Sequence, residues 1–461
     1  MRSLNSAITI IESPLRTKRT HNGDRMIRTK ASPPKNIDAN KLQADDRPVH
    51  EWYRFVLSYP PHLVRDYLHR FGITNKNLVL DPFCGTGTTL VECKKNGFPS
   101  IGVEANSMAY LASSVKTDWT PDPKAIFKVA QRLADQAINR LRTEGIEDDP
   151  MPENLSRVSE YEALSAELTK LILTDSISPL PLHKTLILRG CVDRVRGNDK
   201  SHFRLALAKA LVFSISNLHF GPEVGVGKKK QDCAVIAPWL HEVRRMADDL
   251  RAVEKSAVVP CWVHHGDARD LGAFLKPKSL DAVITSPPYP NEKDYTRTTR
   301  LESVILGMIR SKDDLRKLKR SLVRSNTRGV YKIDKDDLEV AHHPEIQRIA
   351  CAIEARRIEL GKTSGFERMY ARVTKLYFGG MHRHLANLRP FLCPGARLAY
   401  VVGDQASYLR VMIRTGQILA DLAASLGYEV TGIDLFRTRL STATKEQLRE
   451  EVLVLRWPGN K

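Results

Sequence analysis

The four consecutive residues Ser286, Pro287, Pro288 and Tyr289 suit chemistry on the amino group of a planar ring. They follow the apolar run 281–284, and the two prolines fix the chain there and offer no N–H group. The Ser286 hydroxyl and the Pro287 carbonyl can therefore accept hydrogen bonds from one amino group, while a base stacks on Tyr289. Two such acceptors make the nitrogen nucleophilic, so that it can attack an activated methyl group directly. We interpret these residues as catalytic candidates; a proline turn that closes a strand is the alternative.

A glycine-containing segment earlier in the chain, 81–89, lies where an apolar run passes into a helical pattern. Open α/β sheets bind ligands at such carboxyl ends of strands, and glycines let the backbone approach a ligand closely. Leu90 stands where a dinucleotide fingerprint needs its third glycine, which disfavours NAD. Segment 221–228 fails as a phosphate loop because Val226 stands in place of its second glycine. The candidate ligand-binding residues of this loop are Asp81, Pro82, Phe83, Cys84, Gly85, Thr86, Gly87, Thr88 and Thr89.

Acidic residues end two further predicted strands. Glu104 stands nineteen residues after Gly85, where an acid can accept hydrogen bonds from both ribose hydroxyls of an adenosine. Asp267 ends another strand and suits the exocyclic amine of an adenine ring. Each feature alone is commonplace, but in this order they predict an adenosine pocket. Ala105, Asn106 and Ala268 complete this set of candidates.

In this combination the chain resembles the S-adenosylmethionine-dependent DNA amino-methyltransferases, and it is most similar to the bacterial cytosine-N4 modification methylases. The residues that carry the resemblance are 81–89, Glu104, Asp267 and 286–289. The resemblance implies S-adenosylmethionine as cofactor and double-stranded DNA as substrate, with the target cytosine flipped out of the stack towards Tyr289. It implies transfer of the methyl group to the exocyclic N4 amine.

The flanking segments extend the resemblance to about half of the chain. Segment 58–64 is similar to the family's segment that folds over the methionine part of the cofactor, which adds Pro61 to the cofactor candidates. Segments 220–223, 294–296 and 301–302 resemble a subset of the family. Cys84, before the first glycine, departs from the apolar residue usual there, but a small buried cysteine behaves as a hydrophobe. The resemblance covers 52–117, 258–307 and 377–458.

Three alternatives remain open. The same two acceptors can activate adenine N6, and only the association of serine before Pro-Pro with cytosine favours N4. An RNA base amino-methyltransferase would share the loop, although such enzymes usually carry aspartate or asparagine before Pro-Pro. The third alternative is a non-catalytic nucleic-acid-binding module. Such a module would be expected to have lost the residues of the ligand pocket, whereas Gly85, Glu104, Ser286 and Tyr289 are present. Pro260-Cys261 superficially resembles the nucleophile of the cytosine-C5 methylases. It lies before the strand that ends near Asp267 and not after the fourth strand, so methylation of carbon 5 is disfavoured.

Composition and charge point to a nucleic-acid partner. The 461 residues contain 72 Lys and Arg against 53 Asp and Glu, a net charge of +19. The sequence contains no run of 18 apolar residues, so we expect no membrane-spanning helix. The N-terminus lacks an apolar signal segment, so we do not expect secretion. The seven cysteines form no C-x-x-C pair, and paired histidines such as His342-His343 lack metal-ligand partners, so we expect no metal. We expect a cytoplasmic protein of a bacterium or archaeon, associated with the nucleoid.

The alternation of short apolar runs and helical patterns predicts an α/β fold, a Rossmann-like methyltransferase core with a mostly parallel seven-stranded sheet and two helical insertions. Predicted strands are 78–80, 101–103, 262–264, 281–284, 397–402, 428–435 and 451–455, and predicted helices include 63–71, 88–95, 122–144, 160–173, 203–218, 238–253 and 413–426. The predicted divisions are a basic flexible arm at 1–50, the cofactor half at 51–120, a helical insertion for target recognition at 121–257, the substrate half at 258–309, a basic helical insertion at 310–375 and the C-terminal core at 376–461.

Clusters of basic residues are candidates for contact with DNA, although each would also suit a solvated surface. They are Lys228, Lys229 and Lys230 in a glycine-rich loop, Arg316, Lys317 and Arg320 in the second insertion, and Arg437 and Arg439 after a late strand. The sequence does not distinguish residues that read bases from those that contact phosphates. The resemblance also implies a cognate restriction endonuclease that acts separately.

Overall fold

The computed structural model describes residues 42–54, 58–155, 161–220, 224–256, 258–291, 293–440 and 446–459. Most of the arm predicted at 1–50 therefore lies outside the described residues. In the described chain, no helix is both long and apolar enough to cross a membrane.

A seven-stranded sheet forms the centre of the protein, with strand order β5-β2-β1-β6-β7-β9-β8. The strands from β5 to β7 are parallel to their neighbours, and β9 lies antiparallel to both β7 and β8. The prediction of a Rossmann-like, mostly parallel seven-stranded core is confirmed. The strands are β1 Val79–Asp81, β2 Ser100–Glu104, β3 Leu218–Phe220, β4 Val224–Val226, β5 Cys261–His265, β6 Leu280–Thr285, β7 Leu392–Gly403, β8 Glu429–Leu440 and β9 Gln447–Arg456, of which β3 and β4 form a separate hairpin.

Helices cover both faces of the sheet. Val79 and Leu80, adjacent on β1 and both fully buried, belong to two different hydrophobic clusters because successive side chains of a strand point to opposite faces. The helices are α1 Arg47–His50, α2 Pro61–Arg70, α3 Thr88–Lys95, α4 Ser107–Thr117, α5 Pro123–Thr143, α6 Ala166–Thr169, α7 Pro179–Asp193, α8 Asp199–Ala210, α9 Ile236–Val253, α10 Tyr295–Thr298, α11 Arg300–Ile305, α12 Lys312–Ser321, α13 Pro344–Glu359, α14 Tyr370–Leu388 and α15 Thr415–Ser425.

The first helical region differs from its predicted pattern in three places. The helix predicted over 160–173 is wrong, because only Ala166–Thr169 is helical among its described residues. Helix α7 was not predicted, since its side chains are buried on nearly all sides and it lacks a polar stripe. The helix predicted over 203–218 ends earlier, with α8 passing into a π-helical turn, Leu211–Ile215, before the hairpin. Strand β4 of this hairpin lies within the segment that was predicted as a loop.

The second helical region continues into the sheet layer. Helix α14 runs through the predicted boundary between 375 and 376 and packs on the sheet with α15. Gly379 on α14 lies against the Asp336 backbone, where a Cβ atom would meet the carbonyl oxygen at 1.7 Å. The close contact requires glycine there, and it holds the region before α13 against the core. The six predicted divisions of the chain stay a prediction.

Candidate active site

The carboxyl ends of β1, β2 and β6 open into a cavity of about 490 Å³, here called the main cavity. It brings the glycine loop and the Ser-Pro-Pro-Tyr turn to one space. The candidates that line it are Pro82, Phe83, Cys84, Gly85, Thr86, Thr88, Glu104, Ala105, Asn106, Asp267, Ala268, Ser286, Pro287, Pro288 and Tyr289. Pro61, Asp81, Gly87 and Thr89 are not among its described lining residues.

Asp81 lies behind the cavity wall and joins three parts of the site. Its carboxylate accepts hydrogen bonds from the Thr285 hydroxyl at 2.5 Å and from the Tyr59 hydroxyl at 3.0 Å. Tyr59 also bonds Thr89, whose hydroxyl donates to the Ile284 carbonyl at 3.0 Å. Complete burial raises the pKa of Asp81 to about 6 despite these hydrogen bonds. Asp81 thus connects β1 to β6 and to the segment before α2.

The glycine loop turns through backbone conformations that glycine adopts without strain. Gly85 has φ +50° and Gly87 has φ +85°, and a Cβ atom at Gly87 would lie 3.2 Å from Ser113 on α4. The Thr86 hydroxyl, buried in the cavity wall, makes no hydrogen bond within the described residues. The loop therefore presents a polar atom that a ligand can satisfy.

Glu104 lines the main cavity and lies beside the glycine loop. Its carboxylate accepts hydrogen bonds from the backbone N–H groups of Gly85, at 2.8 Å, and Asn106, at 2.7 Å. Burial raises the pKa of Glu104 to about 7, although both hydrogen bonds act in the opposite direction. Because a carboxylate offers about four acceptor positions, these contacts leave Glu104 able to accept further hydrogen bonds from a ligand.

The Ser286 hydroxyl donates a hydrogen bond to the Val401 carbonyl, with 3.1 Å between the oxygens. That contact occupies its single proton, so the oxygen faces any further partner as an acceptor. The Tyr289 ring lies close to β7, where a Cβ atom at Gly403 would be 3.1 Å from its Cε2 atom. Burial raises the pKa of the Tyr289 phenol, which keeps it neutral at ordinary pH.

Asp267 has a partner that its position in the sequence did not reveal. Arg269 binds its carboxylate from two nitrogens, with Nη2–Oδ2 at 2.7 Å and Nε–Oδ1 at 3.0 Å. Arg269 in turn contacts Asp336 at 2.6 Å and is almost fully buried. The expected contact of Asp267 with an adenine amine stays a prediction, now for a carboxylate that an arginine already orients.

Further residues of the site were missed from the sequence. Segment 319–329 supplies a large part of the cavity wall, and Phe213 from the π-helical turn lies at its edge, 53% exposed. Tyr53 donates a hydrogen bond to Glu302, whose pKa burial raises to about 7. The resemblance of segment 58–64 was a signal for Tyr59, but no local pattern marks residues whose partners lie far along the chain.

The basic candidates for DNA contact fall into three groups, of which the first is in the β3–β4 hairpin and the loop after it. Lys230 donates to the carbonyls of Ser214, at 2.6 Å, and Ser216, at 2.8 Å, and so fastens the β3–β4 hairpin to the π-helical turn. Lys229 pairs with Asp175 at 2.7 Å, and Lys228 is exposed.

On the second helical region, Arg316 pairs with Asp313 at 2.9 Å, Lys317 is exposed, and the Arg320 guanidinium lies 5.3 Å from the Tyr331 ring centre. Arg437 and Arg439 line the main cavity and both contact Glu450, at 2.6 and 3.4 Å. Among the described residues, no group of three or more His, Cys, Asp or Glu side chains could hold a metal ion.

Comparison with known proteins supports the resemblance. Residues 20–114 match the sequence model of the N6/N4 family described as DNA methylase. The type II methyltransferase M.BsoBI of Geobacillus stearothermophilus is 23% identical over 447 residues, which cover 89% of this chain and 84% of that protein. The type II methyltransferase M.AvaI of Anabaena variabilis is 22% identical over 460 residues, 92% of this chain and 88% of that protein.

Among solved structures, the crystal structure of TrmN from Thermus thermophilus aligns with 86% of this chain and 48% of its own, at 12% identity and a TM-score of 0.26, which is too low to support an inference. Together with the sheet and the cavity, the sequence matches show that the chain is similar to the DNA amino-methyltransferases of the N4/N6 class.

Proposed function

We propose that this chain is a site-specific DNA methyltransferase that transfers a methyl group from S-adenosylmethionine to the exocyclic N4 amine of cytosine, in a base flipped out of double-stranded DNA. The observation that carries the proposal is the orientation of Ser286, whose proton is engaged by Val401 so that its oxygen acts as an acceptor in the main cavity. The Pro287 carbonyl is the second acceptor, and Tyr289 supplies the stacking face.

The residues opposite this turn fit the proposed cofactor. Glu104 has acceptor capacity for the two ribose hydroxyls, and the buried Thr86 hydroxyl offers a polar contact that no described residue satisfies. The positive φ angles of Gly85 and Gly87 allow the backbone to curve around a ligand. S-adenosylmethionine, bound there, would supply the activated methyl group. Asp81 and Tyr59 act as positioning residues, since they hold the loop against β6.

The chain's own residues contribute orientation and electrostatics to the reaction. Hydrogen bonds from the amine to Ser286 and Pro287 localise the nitrogen lone pair, which in the free base is delocalised into the ring. Stacking on Tyr289 fixes the plane of the base, so that the lone pair points towards the loop side of the cavity. Such orientation is an effective source of rate enhancement because it removes translational and rotational freedom before reaction.

Cytosine N4 is favoured over adenine N6 by the hydroxyl of Ser286 in place of a carboxylate, an association within the families that this chain resembles. Digestion of DNA treated with the purified protein, followed by mass spectrometry of the nucleosides, tests the proposal. N4-methylcytosine is the expected product. N6-methyladenine alone would overturn the choice of base, methylation of RNA alone would overturn the choice of nucleic acid, and no methylation with intact DNA binding would leave a non-catalytic module.

The type II methyltransferases to which the chain is similar favour a role in restriction–modification, beside a separate cognate endonuclease. For that role we propose that the protein acts in the cytoplasm, at the nucleoid, without a metal ion. Base-modification sequencing of DNA from cells that express the protein would identify the recognition sequence. Methylation scattered without a common sequence would contradict site specificity.

A further inference from the structure

A second cavity of about 300 Å³ adjoins the main cavity and is here called the basic pocket. Four of its lining residues are cationic: Arg297, Arg300, Lys319 and Arg328. Asp294 is the one acid among its described lining residues, and two leucines that precede α7 complete the wall. Asp294, Arg297, Lys319 and Arg328 also line the main cavity, so the two spaces are adjacent.

The negative charge of Asp294 is already engaged inside the protein. Its carboxylate pairs with Lys319 at 2.9 Å and accepts hydrogen bonds from the Thr296 hydroxyl, at 2.6 Å, and the Thr296 N–H group, at 3.0 Å. These contacts orient the carboxylate and partly offset one cation. Asp294 also attracts Arg300, without a direct ion pair between the two within the described residues.

Arg300 is the residue that most clearly requires an anion. Its guanidinium donates to neutral acceptors, namely the Thr296 hydroxyl at 2.7 Å, the Thr296 carbonyl at 3.1 Å and the Leu171 carbonyl at 3.3 Å. Within the described residues it forms no ion pair. Burial lowers the pKa of Arg300, the negative charge of Asp294 acts against this shift, and the neighbouring Arg297 adds to it. A partly desolvated guanidinium that makes no direct ion pair is unfavourable, and a bound anion would relieve that cost.

Arg328 stands at the open side of the same pocket. Its side chain is exposed, with the guanidinium 5.5 Å from the Phe366 ring centre, and within the described chain it has no carboxylate partner. Its backbone carbonyl accepts a hydrogen bond from Lys319 at 3.2 Å, which holds the loop after α12 over the pocket. The basic pocket therefore combines the partly buried Arg300, Lys319 paired with Asp294, and the exposed Arg328, whose side chain is accessible to a ligand.

We propose that the basic pocket binds one phosphodiester of the DNA backbone beside the flipped base. This inference rests on the proposed function. The planar guanidinium matches the oxygens of a phosphate in two-point contacts. A flipped nucleotide rotates about its own backbone, so a flanking phosphate must stay close to the cavity that receives the base. The pocket shares four lining residues with the cavity that contains Ser286 and Tyr289, and it would anchor that phosphate.

The variants Arg300→Gln and Arg328→Gln test the pocket. Arg348→Gln is the matched control, because Arg348 is an exposed arginine of the second helical region that pairs with Glu345 at 2.7 Å. DNA affinity is measured by fluorescence anisotropy over a range of salt concentrations. Each pocket variant is expected to weaken binding and to reduce the slope of log affinity against log salt by about 1, whereas the control keeps the wild-type slope. Arg328→Gln removes an exposed side chain and keeps the test valid if Arg300→Gln fails to fold.

A DNA duplex with a neutral methylphosphonate at a single position then locates the contact. At one phosphate flanking the target base, the methylphosphonate should weaken DNA binding by the wild type. It should have little further effect on DNA binding by Arg328→Gln, because both changes remove the same contact. Unchanged slopes in both variants, or fully additive losses at every phosphate, would overturn the proposal. Methylation by the wild type, measured separately, reports on the proposed function itself.

Inorganic phosphate distinguishes the DNA backbone from a free anion. If phosphate alone raises the melting temperature of the wild type but not of Arg300→Gln, and the DNA salt slopes are equal, the pocket binds a free anion and the proposal is wrong. We expect the opposite result. The DNA salt slope of Arg300→Gln should differ from that of the wild type. Inorganic phosphate should not raise the melting temperature of the wild type at concentrations too low to compete with DNA.

Discussion

Thr285 donates a hydrogen bond of 2.5 Å to the carboxylate of Asp81, a residue 204 positions away in the chain. Thr285 ends β6 directly before Ser286, and Asp81 ends β1 directly before the glycine loop. This contact therefore joins the proposed cofactor loop to the proposed catalytic turn, together with the hydrogen bond from Thr89 to the Ile284 carbonyl. Both strands are parallel neighbours, so their carboxyl ends meet at the same edge of the sheet.

Removal of that contact should change the reaction more than the fold. Thr285→Val keeps the shape of the buried side chain and leaves the Asp81 carboxylate with one donor fewer, and we expect a loss of stability of about 1–3 kcal/mol. We also expect kcat to fall by at least tenfold, because the methyl group and the amine lose their fixed spacing. Steady-state kinetics and urea unfolding measure the two effects. A variant with wild-type kcat would show that the hydrogen bond serves stability alone.

Glu104 is expected to determine cofactor affinity. Glu104→Ala should weaken S-adenosylmethionine binding by roughly 1.5–3 kcal/mol, as expected for hydrogen bonds to a charged acceptor. Isothermal titration calorimetry measures the affinity. Glu429→Gln, a change at an exposed carboxylate on β8, is the control. An affinity equal to that of the wild type would exclude Glu104 from the cofactor site.

Ser286 is expected to act on turnover rather than on cofactor binding. Ser286→Ala removes the acceptor at the reacting nitrogen, and we expect kcat to decrease by about a hundredfold or more with little change in cofactor affinity. Single-turnover methylation and calorimetry separate the two quantities. Ser425→Ala, which removes a hydroxyl that contacts only the Leu422 carbonyl on α15, should leave both unchanged. Equal losses in turnover and cofactor affinity would contradict this assignment.

The lysines of the hairpin are expected to differ from one another. Lys228→Ala with Lys229→Ala should weaken DNA binding and flatten its salt dependence if their ammonium groups lie on phosphates. Lys230→Ala should lower the melting temperature as well, since Lys230 holds the carbonyls of Ser214 and Ser216. Anisotropy and thermal unfolding measure these effects. If the double variant keeps the wild-type salt slope, the loop faces solvent.

Glu302 is expected to make stability depend on pH. Burial raises its pKa to about 7, above the ordinary value of 4.5. A carboxyl group whose pKa is higher in the folded than in the unfolded state contributes fully to stability at a pH below its ordinary pKa. That contribution is lost as the pH rises through about 7. Wild-type stability should therefore decrease by about 1 kcal/mol between pH 6 and pH 8 from this group. Glu302→Gln should show a smaller decrease in urea unfolding, and an identical decrease would mean that Glu302 stays ionised.

The sequence alone determined the parts of the protein whose signals are local. The glycine loop, the Ser-Pro-Pro-Tyr turn and the strands before them are short patterns of adjacent residues, and their order along the chain requires a parallel sheet with both segments at one edge. The strands at 79–81, 100–104 and 280–285 accordingly lie close to their predicted positions. Helices with one polar face, such as α5 and α9, were also predicted well because their periodicity is visible.

Tertiary structure decided the partners of the charged residues. Asp267 was predicted from its place at a strand end, but the sequence did not reveal that Arg269 contacts both Asp267 and Asp336, the latter 67 residues further along the chain. Lys230 was predicted as a DNA contact from a run of three lysines, although packing directs its ammonium group to backbone carbonyls. Charge can be counted from the sequence, but electrostatic energy depends on distances that only the packed chain defines. For the same reason the basic pocket around Arg300, built from three separate segments, had no local pattern that could reveal it.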